Sequence, residues 1–208
     1  MTSPSFAMRP ILVPRGVFAV RAPVHDRTPK SAARRSTLRV VLVQTYHPYT
    51  QFTHVHPLGI MAVASAARWK GHPDLHLLDM KVEGWTPGEA CDAIAALAPD
   101  VIGLSAMTYE AGCMHEVARE MKRRRPSATI VCGGPHPSVA AEDVLADASV
   151  DFVVRGEGED TFAELLAGLK EGREDWAGCA GLSWRRGDGR ADGQADGRAD
   201  SSIVPEAD

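Results

Sequence analysis

Between residues 37 and 172, short β-type runs alternate with helical segments, and the connections are short. That alternation is the strongest constraint in the chain. It calls for a parallel sheet with helices on both faces. The β-type runs are residues 38–43, 75–79, 101–105, 129–132 and 152–154. The first, third and fourth are near-continuous apolar runs, as expected for strands covered on both faces.

The helical segments carry their own signals. Residues 57–70 place Leu58, Met61, Ala62, Ala66 and Trp69 at helical spacing, and Gly71 stops the run. Thr86-Pro87-Gly88-Glu89 is a capping box with proline in the first turn, opening a helix to Leu97. Residues 109–125 end in Lys122-Arg123-Arg124-Arg125. Four bases suit the negative end of a helix macrodipole and read as a solvated terminus. Pro126 forbids continuation. Residues 138–147 and 161–171 supply two more helices. The prediction is an α/β, flavodoxin-like (Rossmann-like) fold. Its five-stranded parallel sheet is doubly wound, in the order 2-1-3-4-5 with right-handed crossovers. Residues 179–184 read as a further strand within 173–187.

Outside this body the composition changes. Residues 1–36 hold seven bases and one acid and read as a disordered basic leader; a transit peptide or a basic arm would share that composition. Residues 188–208 are a low-complexity Gly/Asp tail with a four-residue DGxA period, too poor in large apolar residues to bury a core. Residues 37–172, the domain proper, hold 11 bases and 18 acids, which argues against nucleic acid as a partner. No run of ~18 apolar residues would span a membrane. The expected location is the cytoplasm. Four scattered cysteines, with no CxxC pair, exclude a disulfide scaffold or a cysteine zinc site.

In open α/β sheets, ligands bind beyond the carboxyl ends of the strands. After strand 1 there is neither GxGxxG nor GxxxxGK[ST], so the dinucleotide and P-loop readings fall away. His47, His54 and His56 fall within ten residues there and invite a ligation hypothesis, with ordinary loop histidines as the alternative. After strand 3, Ser105 and Thr108 offer hydroxyls that can cap a helix or meet a ligand. After strand 4, Cys132-Gly133-Gly134-Pro135-His136-Pro137 pairs two glycines with a stiff exit. Two glycines admit a closely approaching backbone or ligand. Cys132 itself reads as a buried small hydrophobe. After strand 5 comes Arg155-Gly156-Glu157-Gly158-Glu159-Asp160, whose acids discourage a free phosphate.

The segments VVLVQ, HPLGIMAVASAARWKGH, LLDM, PDVIGLSAMT, IVCGGPHPS and DFVVRGEGEDTFAELL, in this order, resemble the cobalamin-binding domain of B12-dependent radical SAM enzymes. The resemblance covers residues 37–172. It implies that Ser105 and Thr108 contact the nucleotide tail of cobalamin or its phosphate. Gly133, Gly134 and Pro135 would form the slot for the tail, and Gly156 and Glu157 its far side. Many B12 domains carry Asp-x-His-x-x-Gly after strand 1. Here the stretch is Thr45-Tyr46-His47-Pro48-Tyr49-Thr50, without the aspartate and glycine. A ligating imidazole ordinarily donates its other N–H to such a partner. The expectation is therefore base-off cobalamin without histidine ligation, His47 being the fallback metal ligand.

The related enzymes hold an iron–sulfur cluster through a CxxxCxxC triplet. These 208 residues contain none. The expectation is a module, not an enzyme by itself, that carries no cluster and presents the corrinoid to a radical SAM domain or protein. Two other readings stay open: a non-catalytic interaction or sensory domain that has lost corrin binding, and a small enzyme with another nucleotide-like ligand in the same slot.

Overall fold

The computed structural model describes residues 37–46 and 56–185, and the backbone of 191–194. The sheet is built first from β1 (Val40–Gln44), β2 (Leu75–Asp79), β3 (Val101–Ser105), β4 (Thr129–Gly133) and β5 (Phe152–Val154). All five are parallel, in the order β2-β1-β3-β4-β5, as the alternation predicts. Beyond β5 the sheet turns antiparallel, through β6 (Leu182–Arg185) and β7 (Ala191–Gln194). The strand read at residues 179–184 thus lies slightly later. β7 forms within the Gly/Asp tail, since backbone pairing needs no apolar side chain.

Alternation along each strand feeds two cores. Val41, Val43, Ile102, Leu104, Ile130 and Cys132 face one side. There they meet α3 (Pro87–Ala96) and α4 (Ala111–Arg124), through residues such as Ile94, Met114 and Met121. Val40, Leu42, Val101 and Val131 face the other side. There they meet α1 (Leu58–Trp69) and α7 (Glu159–Glu171), through Ile60, Ala64, Phe162 and Leu165. Both faces are covered, which is why β1, β3 and β4 carry almost no polar residue.

The helix read over 57–70 forms as α1, but its apolar stripe is not the buried face: Leu58, Met61, Ala62 and Trp69 are exposed, and Ile60, Ala64 and Ala67 pack on the sheet instead. The other end signals hold. Thr86 Oγ1 accepts from Glu89 N–H, and Glu89 accepts from Thr86 N–H, closing the capping box. The basic end of α4 is consumed in pairs. Arg123 and Arg124 reach Glu120, Arg124 also reaches Asp92, and Lys122 reaches Asp151. One turn escaped the sequence: Asp79 accepts from Lys81 and Val82 N–H and starts α2 (Met80–Glu83). The helix expected over 138–147 is two pieces, α5 (Pro135–Val139) and α6 (Ala141–Leu145). Ala140, at φ −127° and ψ 38°, leaves the helical region and breaks it.

The packed body runs past residue 172. Trp176, Cys179, Leu182 and Trp184 join the α7 face, and the Trp176 ring meets Phe152 edge-on. Arg185 donates to the carbonyls of Leu145, Asp147 and Val150, tying β6 to the turn before β5. Among the described residues no helix is long and apolar enough to cross a membrane.

Candidate functional site

At the carboxyl end of the strands a slot of about 570 Å³ opens between the sheet and the first turns of α1 and α7. Strand register builds its wall. Leu42 pairs with Gly103 and Gly103 with Val131, forming one row across β1, β3 and β4. Two residues further along, Gln44, Ser105 and Gly133 form the next row, on the same face. Leu58, Gly59 and Val63 of α1 and Phe162 of α7 close the opposite side.

The rim is stitched by hydrogen bonds. Thr45 donates to the Ser105 carbonyl through both N–H and hydroxyl, at 3.0 and 2.7 Å. Ala106 N–H donates to the Gly133 carbonyl, and His136 N–H to the Ala106 carbonyl. The Ser138 hydroxyl donates to the Gly134 carbonyl at 2.8 Å and accepts from Gly156 N–H at 3.0 Å. One side chain thus joins the loops after β4 and β5.

Ser105, Gly133, Gly134, Pro135, Gly156 and Glu157 all line this slot. Thr108 does not. It is exposed in a short 3-10 turn, Thr108–Glu110, whose buried Glu110 accepts from Met107 N–H at 2.8 Å. No side-chain cap is made at the start of α4. His47 and His54 lie outside the described residues, and His56 is exposed ahead of α1.

The two adjacent glycines play different parts. Gly134 has φ +91°, a conformation that side chains disfavour, and a Cβ there would press on Ser105 and Ala106. The fold itself requires it. Gly133 has no such need: a Cβ there would meet only the Val154 carbonyl oxygen, at 3.5 Å. Its missing side chain leaves space in the slot and nothing else.

Chemically the slot offers space, a polar rim and an apolar inner wall. Among the described residues no group of three His, Cys, Asp or Glu is placed to hold a metal. Cys132 is completely buried, and burial pushes its thiol far above the ordinary range, so it is no nucleophile. Sequence reasoning missed Ser138, Gly59 and Phe162. A serine three residues after a Gly-Gly-Pro run and a glycine in a helix's first turn were the available signals, and both have ordinary local explanations.

A second, larger concavity of about 800 Å³ lies at the amino edge of the strands, beside Thr129 and Trp176. Its Lys122 is bonded to Asp151 and to the Ala128 carbonyl, and its Arg185 to three carbonyls. Both cations serve the fold.

Comparison with known proteins gives consistent results. The profile of the B12 binding domain matches residues 51–166. An uncharacterized methyltransferase of Pyrococcus horikoshii is 35% identical over 130 residues, 62% of this chain and 28% of that protein. The anaerobic magnesium-protoporphyrin IX monomethyl ester cyclase of Synechocystis is 33% identical over 133 residues, 62% of this chain and 26% of that protein. The cobalamin-dependent radical SAM methyltransferase TokK of Streptomyces tokunonensis is 37% identical over 90 residues, 43% of this chain and 13% of that protein. The chain thus spans under a third of each relative. Among solved structures, the cobalamin-dependent S-adenosylmethionine radical enzyme OxsB with aqua-cobalamin bound superposes at a TM-score of 0.65. That match has 20% identity and covers 77% of this chain and 22% of that one. The radical S-adenosylmethionine methyltransferase TsrM of Kitasatospora setae, with cobalamin and a 4Fe–4S cluster bound, gives 0.62 at 22% identity, covering 74% and 31%. At those identities the likeness is one of fold.

Proposed function

The chain belongs to the B12 binding domain family, and on that premise we propose that it is a corrinoid-carrying module which seats the nucleotide tail of cobalamin in the slot between the sheet, α1 and α7. The observation that carries this reading is Gly133. It faces the slot, the fold does not need it to be glycine, and a side chain there would fill space that a flat ligand can use. The slot's volume of about 570 Å³ falls within the usual range of ~300–1,000 Å³ for small-molecule sites. The group therefore fits the residues present.

In this reading Ser105 turns its hydroxyl to the tail, Gly133 leaves the passage open, and Gly156 and Glu157 form the outer lip. Ser138 sets the spacing of the two loops. The buried apolar residues Leu42, Val131 and Phe162 exclude water from the inner end. The bound corrinoid would supply methyl-carrying or electron-accepting chemistry to a radical SAM domain, and this chain's residues bind and orient it. Base-off binding without a histidine ligand belongs to the same proposal. Its support is the absence of the Asp-x-His-x-x-Gly pattern after β1.

Titration of the purified chain with hydroxocobalamin, followed by absorbance, tests this, with tail-free cobinamide as control. Cobalamin is expected to bind and cobinamide to bind much more weakly. Equal binding of the two, or none, removes the tail slot.

A further inference from the structure

We propose that the slot selects among corrinoids by the base that ends the nucleotide tail, favouring a benzimidazole-type base with an apolar outer edge over a purine. This rests on the reading that the tail enters the slot.

The slot is graded from polar to apolar by strand register. Its mouth carries Ser138, Glu157 and Glu159, and the row of Ser105 and Gly133 lies behind them. The next row inward is Leu42, Gly103 and Val131. Leu42 and Val131 are 3% and 2% exposed, and Phe162, which faces them from α7, is 3% exposed. No polar side chain belongs to this inner row. Its backbone N–H and carbonyl groups lie in parallel strands paired on both sides. The nearest hydroxyl on α5, that of Ser138, is already engaged by Gly134 and Gly156.

A base tethered through its glycosidic nitrogen enters such a slot with the opposite edge leading. For a benzimidazole that edge is C–H or methyl, which Leu42, Val131 and Phe162 accommodate. For adenine it carries ring nitrogens and an exocyclic amine, which would lose water and find no side-chain partner on the inner row, the Ser105 hydroxyl lying one row behind the leading edge. A polar group buried without a hydrogen bond costs enough to weaken binding by about tenfold or more. The rim carboxylates do not compensate, because they sit at the mouth.

The test is a set of three titrations on the intact chain, with cobalamin, its adenine-based counterpart and cobinamide. The expected order is cobalamin tightest by about tenfold or more, then the adenine form, then cobinamide. Equal affinity for the two complete corrinoids, with cobinamide still weaker, overturns the selectivity and leaves the tail slot standing. Failure of all three to bind overturns both. A Val131→Thr variant, checked for folding by circular dichroism, places a hydroxyl on the inner row and is expected to narrow the ratio. A ratio unchanged in folded Val131→Thr protein overturns the assignment to that row.

Discussion

A Cβ built on Gly134 would stand 2.8 Å from Oγ of Ser105. The loop after β4 therefore lies against the end of β3 with no room for a side chain, and Gly134 also holds φ at +91°. Its neighbour Gly133 has neither constraint. Gly134→Ala is expected to lower stability by about 1–3 kcal/mol through backbone strain and contact, with or without corrinoid. Gly133→Val is expected to leave the thermal midpoint nearly unchanged and to lose cobalamin binding. Thermal melts followed by circular dichroism, beside absorbance titrations, separate the two. Loss of stability without loss of binding in Gly133→Val would remove the glycine from the site.

Ser138 holds two loops with one hydroxyl. Ser138→Ala deletes both bonds, each contributing ~0.5–1.5 kcal/mol. A thermal midpoint lower by a few degrees is expected, at roughly 2–4 °C per kcal/mol. The Gly156 amide should also exchange its hydrogen faster. Unchanged exchange at Gly156 would show that the loops are held elsewhere.

His72 is buried after α1, and its ring pKa lies below the ordinary value, first through burial and second through the nearby charge of Lys170. The folded state therefore favours the neutral ring. Its contribution to stability is complete above the unfolded value of about 6.5 and is lost as pH falls through the lower folded value. Urea unfolding midpoints should fall between pH 7.5 and pH 5, and less steeply in His72→Phe. Identical slopes in the two proteins would place the pH dependence on other groups.

Gly168 lets the Trp176 ring lie on α7, where a Cβ would come within 2.7 Å of two ring carbons. Gly168→Ala is expected to displace the ring and cost about 1–3 kcal/mol, overriding the helix propensity that alanine would add. A rise in thermal midpoint would show that the ring shifts without penalty.

All four cysteines are buried, and burial raises every thiol, those of Cys91 and Cys179 to about 11. Native protein should react negligibly with a thiol reagent at pH 8, and denatured protein should release four equivalents. Rapid reaction of a native cysteine would place it at the surface.

The parallel order β2-β1-β3-β4-β5 was legible because a strand covered on both faces must be apolar along its whole length, and 40–43, 101–104 and 130–132 are. The capping box at Thr86 was legible because both partners lie within four residues. α2 was not, since its only signal is one aspartate after an apolar run. The site was half legible. Gly133, Gly134 and Gly156 stand out in the chain, and they do line one slot. Phe162 and Leu42 look like any core residue until the helix and the strand face each other.

The sequence by itself determined the five parallel strands, their order and the set of loops at their carboxyl edge, because hydrophobic periodicity and turn residues are local properties; the antiparallel edge of β6 and β7 came only with the structure. The tertiary structure decided what no local pattern carries. It distinguished the glycine the backbone needs from the one that leaves space, and it left Thr108 outside the slot's lining. It also joined two loops through Ser138 and set an apolar row behind a polar one. Each depends on which residues from distant segments meet, and only packing fixes that.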